Sequence, residues 1–409
     1  MGEAALREMT PAMRHADGIV DRVSTIWQHP VKPLDNPYVV GNPVSPPLFT
    51  GRNNVFNRIG EVWSAKTVPD SIIVYGHRRM GKSSILRNLD QAAPPGSVIA
   101  YVDMQGETAF VESTADLLLG VADRIHAAVR RAYPDANPPQ PDPALFSTSA
   151  TAQREFNRFT DRVREALSGH TLILAVDEFE AVERAVEAGK IGREIYQFVR
   201  SKTQEPWVTL VLGGLHTLDE MSRDYQQPFY GSYENIRVSY LLHDDAWHLI
   251  TNPTSDFGLN YEPEAVERII AETGGQPYLI QQICRDALDH LNHELFDEHK
   301  ERDVLITLAD VEAVLGPDFF QRGTVYFDGV WTQAGAPEQR TLLRAMAQRD
   351  GPWTLAELEA VTQLSSDTLH SALRWAERHD ILQKLTTGPP AWQFYVPLTR
   401  RWVNERAPV

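Results

Sequence analysis

The sequence predicts an α/β protein: a parallel five-stranded sheet with helices on both faces, then a helical segment, then a winged helix. Three observations predict it. From residue 71 to 241, short uninterrupted apolar strands alternate with helical stretches, the pattern of a parallel sheet buried on both sides. After Ala246 strand patterning stops and helical spacing dominates. From Glu338 onward, three helices precede two short strands around a Thr-Thr-Gly-Pro-Pro turn, the order of a helix-turn-helix unit with a β wing.

Composition sets the outer limits. The chain has 409 residues, which at roughly 150 per domain means two or three domains. Apolar residues at 42% and charged residues at 23% exclude a disordered or low-complexity chain. A single cysteine, Cys284, excludes an intrachain disulfide and a cysteine-rich zinc site, and it reads as intracellular, with the cytoplasm as the expected location. No run of 18 apolar residues exists, so no membrane partner is expected. The first residues lack a secretory apolar stretch, and Leu6 stands where an N-myristoylation signal needs Ser or Thr. The net charge of −16 argues against a protein built mainly to coat nucleic acid, while leaving room for a local basic patch.

The elements follow in order. Residues 1–32 carry helical spacing at Ile19, Val23, Ile26 and Trp27, and five prolines between Pro33 and Pro47 then impose an extended stretch. Ser71–Tyr75 reads as a strand and Lys82–Leu89 as the helix after it. Val98–Val102 is a strand and about Thr114–Arg131 a helix. Five prolines among residues 134–143 mark a surface loop. Phe156–Leu167 reads as a helix, Thr171–Val176 as a strongly apolar strand, Ile191–Lys202 as a helix, Trp207–Leu212 as a strand and Ile236–Leu241 as the fifth strand. The expected domains are an N-terminal helical segment (1–35), a nucleotide domain (36–245), a helical lid with connecting helices (246–333) and a winged helix (334–409).

The chemistry sits at the first strand–helix junction. Gly76-His77-Arg78-Arg79-Met80-Gly81-Lys82-Ser83 satisfies G-x-x-x-x-G-K-[ST] between a strand and a helix, the context this phosphate-binding motif requires. The glycines let backbone N–H groups turn inward around an anion, and the helix N-terminus adds partial positive charge. Lys82 is expected on the β- and γ-phosphates of ATP or ADP, Ser83 on Mg²⁺, and Ser84 beside them. Arg78 and Arg79 face phosphate or a partner, or else neutralise nearby carboxylates. The chain therefore reads as a P-loop NTPase. The strand Thr171–Val176 ends in Asp177-Glu178, where ligands bind at the carboxyl edge of a parallel sheet. Asp177 is expected to hold Mg²⁺ through water, and Glu178 to polarise the attacking water.

The strand Val98–Val102, inserted between these two motifs, together with a Glu beside the metal Asp, is similar to the branch containing AAA-type ATPases. That branch keeps a γ-phosphate-sensing polar residue after the next strand, which implies His216, although a solvated strand-end histidine fits equally. It also sends an arginine into a neighbouring subunit, which implies Arg223. A surface pair with Asp219 or Asp224 is the commoner arrangement for such an arginine.

Phe49-Thr50-Gly51-Arg52, GHRRMGKSS, LILAVDEFE and Gly274-Gly275-Gln276-Pro277-Tyr278 together resemble the STAND class of signal-transduction ATPases. The resemblance implies that Gly51 and Arg52 lie against the base and that Pro277 packs on adenine from the lid. It implies an ATP-dependent switch that hydrolyses slowly, assembles with copies of itself in the ATP state, and answers to an unidentified trigger or effector, in stress or antiphage defence. The alternative is a DNA-binding AAA-type ATPase of origin or transposition type, with the winged helix on duplex. Origin-recognition and clamp-loader relatives carry an arginine about where Pro277 stands, which favours STAND. A third reading is an adaptor that holds nucleotide without turning it over. The winged-helix region has nine basic and eight acidic side chains, and its third helix, SDTLHSALRWAERHD, offers Asp367 where a base-reading residue belongs. DNA is therefore possible but not favoured. Leu369, Leu373 and Trp375 of that helix are at packing spacing, suited to docking on the nucleotide domain or lid.

Overall fold

The structure, a computed structural model, describes residues 32–408 apart from 47–48, 65–68, 110, 255–256 and 317. The helical spacing read at Ile19–Trp27 lies outside the described residues. The sheet is formed by β1 (Ile72–Tyr75), β2 (Val98–Asp103), β3 (Leu172–Asp177), β4 (Val208–Gly214) and β5 (Glu234–Arg237) in the order β2-β3-β4-β1-β5. All four pairings are parallel.

Burial explains why the strands read so differently. Every residue of β1, β3 and β4 is buried, whereas the edge strand β2 alternates and the edge strand β5 buries only Ile236. Ile72, Val74, Ile173 and Ala175 face one core, and Ile73, Tyr75, Leu172 and Leu174 face the other. The second core is closed by helices α4 (Thr114–Ala132), α5 (Ser149–Leu167), α6 (Glu180–Glu187) and α7 (Glu194–Lys202), with α1 (Asn53–Ser64), α2 (Lys82–Arg87) and the short α3 (Met104–Thr108) preceding them. The helix read as starting at Phe156 begins earlier because Thr148 and Thr151 form a reciprocal capping box.

Two strand expectations need correction. The fifth strand is Glu234–Arg237 and does not extend to Leu241. Val238 N donates the last ladder bond, to Tyr75 O at 2.7 Å. Beyond it the chain leaves the sheet, and Leu241 N donates instead to Gly275 O at 2.8 Å. The helical segment is also not free of strands: β6 (Asn260–Tyr261) pairs in parallel with β7 (Leu305–Ile306).

After β4 come α8 (His216–Arg223), then, beyond β5, α9 (His243–Thr251), α10 (Pro263–Thr273), α11 (Pro277–Asn292), α12 (Leu308–Val314), α13 (Phe319–Arg322) and α14 (Thr324–Gln333). The C-terminal unit runs α15 (Pro337–Ala347), β8 (Trp353–Thr354), α16 (Leu355–Thr362), α17 (Ser366–Arg378), β9 (Leu382–Leu385), β10 (Ala391–Phe394) and α18 (Pro397–Glu405). Its antiparallel sheet has the order β8-β10-β9, an order compatible with the expected winged helix, with a third short strand added. Ser365 caps α17 by accepting from Thr368 N.

The expected docking of α17 is corrected in its detail. Leu369 and Leu373 are buried against their own unit, where α17 packs on α15 and β9, and Trp375 stacks on His379. The unit meets the sheet instead through the turn after α17 and through Tyr395. Tyr395 stacks on Tyr240 with ring centroids 4.0 Å apart, and the Tyr240 hydroxyl donates to Asp380 O at 2.6 Å.

Candidate functional site

A cavity of about 770 Å³ opens at the carboxyl edge of the sheet, within the usual range for a small-molecule site. It is lined by Arg78, Arg79, Met80, Gly81, Lys82, Ser83 and Ser84 from the loop and helix after β1, and by Asp177 and Glu178 from the end of β3. Arg52 and Pro277 line it from two further directions. Gly51, Gly76, His77, His216 and Arg223 do not line it.

The loop geometry follows from its glycines. A Cβ on Gly76 would lie 2.2 Å from Val238 O, so only glycine lets β5 pass beside the loop. Gly81 has φ +86° and turns the chain directly into α2. Lys82 is buried, and its ammonium donates to Gly76 O (3.1 Å) and His77 O (2.8 Å). Burial lowers its proton affinity, and Glu180, Glu178 and Asp177 oppose that shift.

Asp177 is 2% exposed. Its Oδ1 accepts from Glu178 N at 3.0 Å and its Oδ2 from the Tyr101 hydroxyl at 2.7 Å, and Ser83 lines the same cavity. Burial raises its pKa. A serine hydroxyl and a buried carboxylate are hard oxygen donors, so this set fits Mg²⁺ held largely through water. Glu178 has φ +54°, a left-handed backbone that turns it away from the strand. Burial first, and the Glu180 carboxyl second, push its pKa up.

Arg52 acts as a tie from beneath the loop. Its guanidinium donates to Ser239 O (2.6 Å), Tyr240 O (3.3 Å) and Met80 O (2.8 Å). Burial lowers its pKa to about 10, with Asp245 opposing. Gly51 stands beside Asp245, where a Cβ would approach that side chain to 3.0 Å. Across the cavity, Gln276 Nε2 donates to Arg79 O at 3.0 Å, and the Arg79 guanidinium lies 5.5 Å from the Tyr278 ring centroid. Gly274 and Gly275 have φ of +56° and +80°. A Cβ on the first would lie 2.4 Å from Tyr395 O, and one on the second 2.5 Å from Leu241 O.

His77, His216 and Arg223 are gathered elsewhere. His77 is buried behind the loop, with Nδ1 bonded to Arg78 O and its ring near Tyr326. His216 is buried at the start of α8, with its ring 4.9 Å from that of His379 and Nε2 3.7 Å from Asp380. In this conformation it faces the winged helix and not the cavity. Arg223 is exposed and paired with Asp219 at 3.0 Å.

Sequence reasoning missed several residues here. Glu180 is buried beside Glu178, and one of its oxygens has no partner; it stood in the LAVDEFE run and could have been noticed. Tyr101, Arg87 and Arg184 also line the cavity, and nothing local marked them. The proline-rich stretch is extended as expected, and it forms a wall: Val39 N donates to Gln281 Oε1 (2.8 Å), Val44 N to Ser84 Oγ (3.0 Å) and Arg79 Nη1 to Gly41 O (2.5 Å).

Among solved structures the chain is similar to the Walker-type ATPase of Pyrococcus abyssi, at 14% identity and a TM-score of 0.63, covering 90% of this chain and 99% of that one. The Aeropyrum pernix ORC1 protein in complex with DNA matches at 14% identity and TM-score 0.45 (88% and 93% covered), and the Thermotoga maritima RuvB Holliday junction branch migration motor at 15% and 0.42 (85% and 92%). At such identities the likeness concerns fold alone. No curated protein sequence matches the chain. Residues 43–316, well over half the chain and including the phosphate loop and Gly274–Tyr278, match the model of a family described as Novel STAND NTPase 1. The chain is a P-loop NTPase of STAND type and belongs to the Novel STAND NTPase 1 family.

Proposed function

We propose that the chain is an ATP-driven molecular switch: it binds Mg-ATP in this cavity, hydrolyses it slowly, and assembles with copies of itself in the ATP state. The observation that carries this reading is the shared lid junction. Pro277 and Tyr278 line the cavity, while the adjoining Gly274 presses on Tyr395 of the winged helix. A ligand that moves the start of α11 therefore disturbs the contact between winged helix and lid, and it shifts the balance between two states by its differential affinity for them.

The residues divide the chemistry. Loop N–H groups and Lys82 bind the phosphates, Arg52 fixes the loop, and Ser83 and Asp177 hold Mg²⁺, which when bound neutralises phosphate charge. Glu178 takes the proton of the attacking water, and Arg78, on the cavity wall, faces the developing charge. Pro277 and Leu241 offer apolar surface to the base.

The test uses two variants. Lys82→Ala should lose the thermal stabilisation that Mg-ATP gives the wild type. Glu178→Gln should bind ATP normally, with turnover reduced by about 10²-fold or more, and should elute larger on size exclusion with ATP than with ADP. Equal elution in the two states would refute the switch, and unchanged turnover would remove Glu178 from the chemistry.

A further inference from the structure

We infer that Tyr101 is the positioning residue for the metal-holding carboxylate: its hydroxyl fixes Asp177 in the rotamer that receives Mg²⁺. This rests on the reading that the cavity takes a Mg-nucleotide.

The arrangement comes from strand register. Tyr101 on β2 pairs with Ala175 on β3, and Asp103 pairs with Asp177. Paired residues of adjacent strands share a face, and so do residues two apart along one strand. Tyr101, Ala175 and Asp177 therefore lie on one side of the sheet. The small Ala175 leaves room for the tyrosine ring to lean along the strand, and its hydroxyl reaches Asp177 Oδ2 at 2.7 Å. The ring is held from above by the Arg87 guanidinium, 4.8 Å from its centroid. Arg87 closes α2, the helix that begins with Lys82 and Ser83. One side chain thus links the inserted strand, the metal carboxylate and the phosphate-loop helix.

Counting lone pairs shows what this bond does. Each carboxylate oxygen accepts about two hydrogen bonds. The Glu178 N–H occupies one position on Oδ1 and the Tyr101 hydroxyl one on Oδ2. The carboxylate is thereby fixed in plane and rotation, and both oxygens keep capacity toward Ser83 and metal-bound water. Without the hydroxyl, Oδ2 loses its donor and the side chain rotates about χ2 at little cost. Partners that orient a ligand in this way typically contribute about 10- to 100-fold to metal affinity.

The experiment titrates Mg²⁺ into the full chain with a fluorescent ADP analogue and follows binding, so hydrolysis is not the readout. Tyr101→Phe keeps the ring and its stacking on Arg87 and removes only the hydroxyl. The half-saturating Mg²⁺ concentration should rise about 10- to 100-fold, while nucleotide affinity in EDTA changes far less. In an Asp177→Ala background the same substitution should add less than about twofold, because the group that accepts from the hydroxyl is then gone. A Mg²⁺ midpoint for Tyr101→Phe equal to wild type overturns the inference while leaving the site standing. A shift of equal size in both backgrounds also overturns it, since the hydroxyl then acts on something other than Asp177. Wild-type nucleotide binding that ignores Mg²⁺ overturns the site reading and this inference together.

Discussion

Replacing Arg237 by alanine should release the winged helix from the nucleotide domain, and its size can be worked from the junction. The Asp380 carboxylate is 5% exposed, and its Oδ1 accepts from Arg237. Oδ2 has no hydrogen-bond partner, and His216 stands 3.7 Å away. Burial holds the neighbouring His379 imidazole down at about 4, so it is neutral at pH 7 and offers Asp380 no compensating charge. Removing one member of a fully buried pair costs about 3–5 kcal/mol, because the other charge stays buried alone. The Arg237 side chain is 43% exposed, so solvent screening reduces this to about 2 kcal/mol. That corresponds to a shift of about 30-fold toward the undocked state. Basal turnover and protease cleavage at residues 334–336, between α14 and α15, should both rise in Arg237→Ala. Adding Asp380→Asn removes the orphaned charge and should restore part of the protection. Cleavage and turnover within about twofold of wild type would refute the view that this pair holds the winged helix down.

Gly275→Ala places a Cβ 2.5 Å from Leu241 O at a φ of +80°, adding about 1–3 kcal/mol of backbone strain. It should weaken nucleotide binding by about tenfold or more; an unchanged dissociation constant would show that the lid turn does not shape the cavity. Burial depresses both His77 and His379 from 6.5 to about 4. The unfolded chain then takes up protons first, so stability is full above pH 6.5 and falls as pH drops toward 4. Near pH 5 the loss is about 2 kcal/mol for each group, and His379→Gln should flatten the denaturation-versus-pH curve by that amount; a parallel curve contradicts the assignment. Duplex DNA should bind no better than about 10⁻⁴–10⁻⁶ M at physiological salt, because α17 presents exposed Asp367 first. A nanomolar, sequence-specific complex in a mobility-shift assay would instead favour the DNA-binding alternative.

Much of this protein follows from local sequence alone. G-x-x-x-x-G-K-[ST] works through backbone N–H groups and adjacent side chains, so its eight positions describe the site wherever the loop lies. Uninterrupted apolar runs at β3 and β4 reflect burial on both faces, a property that each strand carries in its own residues. The capping signals at Ser365 and the wing turn are equally local. Other features depend on register and on distant partners, which no window of sequence contains. Tyr101 meets Asp177 only because β2 and β3 pair Tyr101 with Ala175, and one residue of slip would send the ring to the opposite face. The fifth strand stops at Arg237 because β1 runs out and the lid captures Leu241. His216 occupies the position read as a phosphate sensor, yet the winged helix, folded from residues more than a hundred positions later, packs its histidine and aspartate against it. Local chemistry wrote the phosphate site into the sequence, and long-range packing decided which of the remaining polar groups reached it.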